Sequence, residues 1–192
     1  KNVVNTMMTS IFIIGVGIVM WVLFGYSLSF APSGNAFIGD FRWLGLEGVS
    51  LTEGYTDDAS IPNMVFSAFQ MMFAVITPAL ITGAVAGRMK FKSIFVFTIF
   101  WSLIVYYPLA HMVWGQGGLL GADGIGALDF AGGDVVHISS GVSALVLCIL
   151  LGKRHDYEHS IYRIHNIPTV VLGASLLMFC LLYTSPSPRD RG

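Results

Sequence analysis

The sequence predicts an all-α polytopic membrane protein. Hydrophobic residues make up 55% of the 192 residues and charged residues only 11%, whereas an ordinary soluble domain carries about 25% charged residues. Four stretches lack Asp, Glu, Lys and Arg and are long enough to cross a bilayer, which takes ~17–25 residues. Their apolar runs are continuous rather than alternating, which is typical of helices and not of membrane β-barrel strands. This composition excludes a soluble enzyme.

The uncharged stretches follow one another along most of the chain, and each predicts one membrane-spanning helix. In chain order they are 3–39, 63–87, 93–122 and 135–152, followed by a fifth segment that begins near Ile167. Within the first stretch, the helix is expected over 6–31.

The net charge of −1 and the absence of a basic patch give no indication of nucleic-acid binding. Cys148 and Cys180 have no CxxC spacing, so neither a disulfide framework nor a metal site is expected. We also expect no cofactor.

The charges of the loops alternate and predict an orientation in the cell (plasma or inner) membrane. Residues 32–62 are mainly acidic, whereas 88–92 contain Arg88, Lys90 and Lys92. Residues 115–133 lack Lys and Arg, and 153–166 are again basic. Because positive loops stay in the cytoplasm, 88–92 and 153–166 are expected there and 32–62 and 115–133 outside. His155, His159 and His165 are expected to be solvated in the last cytoplasmic loop.

The C-terminus differs from the rest of the chain. The string "CLLYTSPSPRD" changes abruptly from apolar residues to Ser-Pro repeats and charge, and it matches one reading frame of a common transposase-based sequencing adapter. We therefore expect residues 180–192 to be sequencing read-through rather than a domain. Residues 1–179 are then expected to be an internal fragment of a membrane domain, because the chain also opens without Met.

Asp129 and His137 lie at the start of the fourth stretch, in "DFAGGDVVH". Eight residues of continuous helix would separate them by about 12 Å and place His137 inside the hydrocarbon region. Ionisable residues there usually face a cavity, a pathway or a partner. The residues alone leave two readings open for each: Asp129 caps a helix start or serves transport, and His137 is a core histidine bonded to a carbonyl or lines a pathway.

The same motif resembles the signature of the ammonium transporter (Amt) family: Asp, aromatic, Ala, Gly, Gly, variable, Val, Val, His. The segments "GYSLSF", "AFQMMFAVITPALITGAVAGRMKF", "YYPLAHMVWGQGGLL" and "HNIPTVVLGASLL" are similar to that family in order and spacing. The resemblance covers nearly all of residues 1–179. The tryptophan at Trp114 favours the Amt branch over the related Rh branch of the Amt/Mep/Rh superfamily.

This resemblance implies a fold of about eleven helices that assembles as a homotrimer, with one pore in each subunit and a cytosolic PII-type regulator as a possible partner. The present chain would correspond to helices two through five and the start of six. The implied activity is transport of ammonium or ammonia across the membrane. A chain limited to these helices is expected to be inactive by itself.

Family roles can be carried onto the matching positions of this sequence. Trp114 and Phe73 would recruit ammonium at an outer site, and Phe69 would be the stacked partner of Phe73 in a gate. His137 would be the first pore histidine. Asp129 would support cation binding and deprotonation without touching the ion.

Elementary chemistry is compatible with these roles. Aromatic faces attract small cations, and Phe69 and Phe73 share one helix face because they are four residues apart. Two alternatives remain: an ammonium-sensing membrane domain coupled to a signalling output, and a haem-binding helical protein that uses His111 and His137. His111 is otherwise expected to be a structural histidine near the outer end of its helix.

Overall fold

A computed structural model describes residues 2–32, 35–121, 124–130, 132–154 and 166–179. The chain forms two compact units, Lys1–Gly152 and Lys153–Gly192. The solvated histidines expected at 155, 159 and 165 lie outside the described residues, and so does the expected read-through at 180–192.

Four helices in the described residues are long and apolar enough to cross a bilayer, and we number them spans 1 to 4: Val3–Phe30, Asn63–Val85, Phe91–Trp114 and Gly133–Leu151. Apart from a single β-bridge, helix is the only regular secondary structure in the described ranges. The predicted all-α polytopic membrane fold is therefore confirmed. The helical segments in chain order are Asn2–Met20, the π-helical Trp21–Gly25, Tyr26–Phe30, the 3-10 turn Leu44–Leu46, Asn63–Val85, Phe91–Trp101, the π-helical Ser102–Tyr106, Tyr107–Trp114, the π-helical Gly133–Ile138, Ser139–Leu151 and Ile167–Met178.

Span 1 is one continuous helix with a π-helical segment in its second half. Trp21 lies in that segment and donates from Nε1 to the carbonyl of Ser67 in span 2 at 3.1 Å. Gly25 ends the segment, and a Cβ there would lie only 2.7 Å from Cζ of Tyr107. The missing side chain lets spans 1 and 3 approach closely.

Span 2 packs between the other spans, with one buried face that runs along its length. That face carries Asn63, Ser67, Gln70, Ala74, Val75, Thr77, Pro78, Ile81 and Val85. Pro78 lies inside the helix and removes one backbone donor. The residue before it, Thr77, donates from its hydroxyl to the carbonyl of Phe73, one turn back, at 2.5 Å. Trp21 and Tyr26 both bond to this face, so spans 1 and 2 are joined by polar contacts within an apolar core.

Span 3 ends earlier than the predicted stretch 93–122. Its helix covers Phe91–Trp114, and the glycine-rich segment that follows folds back onto the helix end. The backbone N–H groups of Leu120 and Gly121 both donate to the carbonyl of Met112, at 2.8 and 2.9 Å. An uncharged segment can either continue a helix or form a loop that folds back, so the lack of charge in 115–122 could not predict that the helix ends at Trp114.

Span 4 begins at Gly133, two residues before the predicted start at 135. It is tied to span 3 because Trp101 donates from Nε1 to the hydroxyl of Ser143 at 2.9 Å. At the C-terminal end of span 4, the side chain of Arg88 donates a hydrogen bond to the carbonyl of Gly152 at 3.1 Å. This is a favourable place for a cation, since the last carbonyls of a helix carry partial negative charge.

In the second unit, the structure describes a short apolar helix, Ile167–Met178. The side chain of Asn166 accepts a hydrogen bond from the backbone N–H of Thr169 at 3.0 Å. Asn at this position is a favourable helix N-cap, and Pro168 fits the first turn because no donor is needed there. The apolar segment expected to begin near Ile167 is therefore a helix in the structure.

Candidate functional site

Trp114 is the last residue of span 3, and its ring contacts two other segments. The ring centroid lies 5.8 Å from that of Phe73 in span 2, with the planes inclined at 55°. Its indole N–H donates to the backbone carbonyl of Asp129 at 2.8 Å. The side chain is half-buried. One tryptophan thus joins the end of span 3, the middle of span 2 and the segment that leads into span 4.

Phe69 and Phe73 lie on one face of span 2, as their spacing predicts. Their ring centroids are 5.1 Å apart, but the planes meet at 89°. The expectation that the two rings are stacked is therefore wrong: they pack edge to face, which suits the positive edge and negative face of aromatic rings. Phe69 is exposed and Phe73 is half-buried beneath Trp114.

The carboxylate of Asp129 caps the start of span 4. Its Oδ1 accepts a hydrogen bond from the N–H of Gly133 at 2.7 Å, and its Oδ2 accepts from Asp134 and Val135 at 2.9 and 3.1 Å. These N–H groups belong to the first helical turn and have no helical partner of their own. A negative charge is also favoured at the positive end of the helix dipole. The sequence allows Asp129 either to cap a helix start or to serve transport, and the structure shows the hydrogen bonds of a helix cap.

Gly132 is required by the backbone between Asp129 and span 4. It has φ +81°, a left-handed conformation, and a Cβ at this position would lie 2.8 Å from Cγ2 of Val136 and 3.8 Å from Cη2 of Trp114. Gly133 is different, because a Cβ there would meet only the Asp129 carboxylate at 3.8 Å. Gly132 therefore permits the turn and the close approach of Trp114.

His137 lies in the first turns of span 4, within the π-helical segment Gly133–Ile138. The helix does not extend back to Asp129, because Gly132 interrupts it. Four residues from the helix start correspond to a rise of only about 6 Å, rather than the 12 Å expected from a continuous helix. The imidazole is exposed and makes no hydrogen bond within the described part of the chain. Single π-helical turns of this kind are frequent at functional sites.

His111 is a buried structural histidine. Its Nδ1 lies 3.1 Å from the carbonyl oxygen of Ser29 and its Nε2 lies 2.9 Å from that of Asn35, and the side chain is fully buried. Both ring nitrogens are thus occupied by backbone carbonyls, and neither is available to an iron atom. This geometry removes the haem alternative, which requires His111 as a ligand together with His137.

An open cavity of about 290 Å³ lies beside Trp114. Asp129 and Phe130 line one side of it, and Tyr55 and Gln116 line another. Sequence reasoning missed Tyr55 and Gln116. Gln116 lies in a segment quoted for the family resemblance but was given no role there, and Tyr55 is a single polar residue in a loop with no motif around it. Only the packing of the loops shows that the two are paired.

The arrangement can attract a small cation where Trp114, at the end of span 3, meets Phe73 in the middle of span 2. It combines the π faces of these two residues with the nearby carboxylate of Asp129, which accepts backbone hydrogen bonds. The described residues contain no group of three His, Cys, Asp or Glu side chains able to hold a metal ion.

Comparison with known proteins places these features in a family. The model of the Ammonium Transporter Family matches residues 1–182. The chain is 51% identical to the ammonium transporter of Bacillus subtilis over 179 residues, which is 93% of this chain and 43% of the relative. The chain thus spans less than half the length of that relative.

Solved structures show the same similarity. The crystal structure of Saccharomyces cerevisiae Mep2 superimposes with a TM-score of 0.75 at 36% identity, over 91% of this chain and 40% of that one. A structure described as a sensor Amt protein superimposes with a TM-score of 0.66 at 30% identity, over 92% of this chain and 42% of that one.

Proposed function

This chain belongs to the ammonium transporter family, and on that premise we propose that it forms the outer half of an ammonium pathway through the membrane. Trp114 and Phe73 recruit ammonium from outside. Near Asp129 and Phe73 the ion transfers its proton to water in the open cavity beside Trp114, and ammonia then passes the Phe69–Phe73 gate toward a pore lined by His137. The protein acts as a transporter rather than as an enzyme.

One observation carries this proposal: the ring of Trp114 meets Phe73 while its N–H is bonded to Asp129. Three residues from different segments of the chain therefore meet where the end of span 3 contacts the middle of span 2. A cation held on these rings gains roughly 0.5–1 kcal/mol when exposed and about 2 kcal/mol or more once water is excluded. The carboxylate of Asp129 adds an attractive charge nearby without occupying the ring face.

Deprotonation follows from the energetics of burial. Moving a bare ammonium-sized ion into a low-dielectric pore has an idealised cost of order 20 kcal/mol. Neutral ammonia avoids most of this cost, and burial itself favours the neutral form. His137 suits the next step because a neutral imidazole has one donor and one acceptor nitrogen. Its exposed side chain is free to contact ammonia or to relay a proton.

We also propose the orientation and assembly of the complete protein. The basic segments 88–92 and 153–166 lie in the cytoplasm, and 32–62 and 115–133 lie outside, in the cell (plasma or inner) membrane. The protein assembles as a homotrimer, and a PII-type regulator binds its cytoplasmic side.

Uptake of labelled methylammonium by the protein expressed from its complete gene tests this function. We expect saturable uptake that ammonium inhibits. His137→Ala should abolish uptake or uncouple it from membrane current, whereas Ile138→Ala, a change at the neighbouring exposed position, should retain it. Trp114→Leu should raise KM several-fold with little change in kcat, because it removes an aromatic cation contact worth about 1 kcal/mol.

Two outcomes would contradict the proposal. Unchanged uptake and current in His137→Ala would remove this residue from the pathway. An unchanged KM in Trp114→Leu would remove the recruitment role of its ring.

A second candidate is an ammonium-sensing membrane domain coupled to a signalling output, favoured by the similarity to a structure described as a sensor Amt protein. The same outer site would then bind ammonium without net uptake. Calorimetry with ammonium on the purified complete protein would show binding that Trp114→Leu weakens, while uptake would be absent. Saturable uptake would contradict a purely sensing role.

A further inference from the structure

We propose that Tyr55 is a positioning residue for Trp114: it holds the segment that follows Trp114 and so sets the tryptophan ring against Phe73. This inference rests on the function proposed above and adds a residue to its recruitment site. Tyr55 lies in the loop between spans 1 and 2 and is half-buried. In the described part of the chain, the ring contacts of Tyr55 do not include Phe73 or Trp114, so its effect is indirect.

The first contact that supports this role is a pair of hydrogen bonds donated to Tyr55 by Gln116, two residues after Trp114. The backbone N–H of Gln116 donates to the hydroxyl of Tyr55 at 3.1 Å. The side-chain Nε2 of Gln116 donates to the backbone carbonyl of Tyr55 at 3.0 Å. Because one bond uses the backbone of Gln116 and the other its side chain, together they restrict both the position and the rotation of the segment. The chain therefore leaves the end of span 3 in one direction.

The second contact anchors the tyrosine ring to span 2. Tyr55 stacks on Phe66 with centroids 4.8 Å apart and planes only 7° from parallel. Phe66 lies in the first turn of the helix that carries Phe69 and Phe73. Phe30 in span 1 and Trp43 in the same loop pack edge-on against this tyrosine, with ring centroids at 5.6 and 6.4 Å. Tyr55 is thus held by the helix that supplies one half of the recruitment site.

The position of Tyr55 explains why its hydroxyl matters as well as its ring. Tyr55 lines the open cavity of about 290 Å³ together with Trp114 and Asp129. Because the cavity is open to water, water competes for the backbone N–H of Gln116, and the direct bond to the Tyr55 hydroxyl keeps the segment after Trp114 in place. Burial raises the pKa of the Tyr55 hydroxyl to about 12, and the hydrogen bond from the Gln116 N–H opposes that rise. The hydroxyl is therefore neutral at physiological pH and accepts the same hydrogen bond throughout.

The test compares KM and kcat for methylammonium uptake in the protein expressed from its complete gene. Tyr55→Phe keeps the stacked ring and loses the hydroxyl. We expect its KM to rise about 3- to 10-fold, the range that one hydrogen bond supports, with kcat and the thermal midpoint nearly unchanged. The profile of uptake between pH 6 and 9 should keep its shape, because no titrating group is lost in that range. Phe41→Leu alters an exposed aromatic of the same loop, 66% accessible, and should leave both constants unchanged.

The decisive comparison uses a Trp114→Leu background. If Tyr55 acts through the tryptophan, Tyr55→Phe should add nothing to the raised KM of that variant. A full additional rise there would overturn the inference, and so would an unchanged KM for Tyr55→Phe in the wild-type background. The failure of the wider proposal looks different: Trp114→Leu itself would then leave KM unchanged, and the positioning role would fall with it.

Discussion

The indole N–H of Trp114 donates to the backbone carbonyl of Asp129 at 2.8 Å, while the carboxylate of the same aspartate accepts three N–H groups of span 4. One residue therefore fixes two things at once, the orientation of the tryptophan and the start of the helix that bears His137. The acidic residue does not need to touch the cation to influence it. Its substitution should accordingly affect both stability and affinity, and the two effects can be separated.

We expect Asp129→Ala to lower the free energy of unfolding by about 1–2 kcal/mol, because three N–H groups lose their acceptor. Asp129→Asn keeps one oxygen acceptor and should lose less than half of that amount. Both variants remove the negative charge and should raise KM for methylammonium several-fold. Thermal unfolding in detergent and uptake kinetics measure the two effects. An Asp129→Asn protein with unchanged KM would show that Asp129 acts only as a helix cap.

Gly132 and Gly133 are neighbours with opposite expectations. Gly132→Ala should destabilise the protein by about 1–3 kcal/mol, because a side chain is strained at φ +81° and would clash with Val136. Gly133→Ala should be neutral or slightly stabilising. Its Cβ would make one ordinary van der Waals contact, with the Asp129 carboxylate at 3.8 Å, and Ala favours a helix more than Gly does. Thermal midpoints of the two variants in detergent give the comparison. Equal destabilisation by both would contradict the left-handed turn.

His111→Ala should lower the thermal midpoint by several degrees. The imidazole lies between the carbonyls of Ser29 and Asn35, and a neutral imidazole can donate its single N–H to only one of them. Losing that donor costs roughly 1–3 kcal/mol for a buried unsatisfied group. His137→Ala is the matched control, because its imidazole is exposed and makes no described hydrogen bond, and its midpoint should not change. A His111→Ala protein as stable as the wild type would show that the carbonyl finds another donor.

The proposed orientation predicts which loops a membrane-impermeant maleimide reaches. In a background with Cys148→Ser and Cys180→Ser, Asp57→Cys should react in intact cells because it lies in the outer loop. Lys90→Cys should react only after the membrane is opened, or in inside-out vesicles. Both side chains are exposed in the structure, so burial does not limit the reaction. The reverse pattern would overturn the orientation.

The membrane-spanning helices could be predicted from the sequence because length and lack of charge decide whether a segment enters a bilayer. Their ends could not. The predicted third stretch ran to 122, but the chain leaves the helix at Trp114 and returns onto Met112. The fourth helix begins only after Gly132, so His137 lies nearer its start than a continuous helix would place it. The three π-helical segments also depend on tertiary packing that apolar periodicity does not encode.

The candidate site was predictable only as far as a family motif reaches. Phe69, Phe73, Trp114, Asp129 and His137 were identified by resemblance, and their roles stay predictions. The prediction that the rings of Phe69 and Phe73 stack was wrong, because helix spacing determines which residues are neighbours but not how their rings are oriented. Tyr55 and Gln116 escaped notice because a pairing between two loops 61 positions apart in sequence leaves no local pattern.

The hydrogen bonds at the two ends of span 4 have a mechanical consequence. Asp129 holds the first N–H groups and Arg88 holds the carbonyl of Gly152, so the helix cannot slide along its axis without losing bonds at one end or the other. If the proposed path runs past His137, its opening depends on side-chain rotation, chiefly of the proposed gate residue Phe69, which is 54% accessible. Exposed rings turn in picoseconds to nanoseconds, whereas helix shifts take microseconds or longer. Transit through this half of the molecule should therefore proceed over an almost stationary backbone, with ring rotation as its fastest moving part.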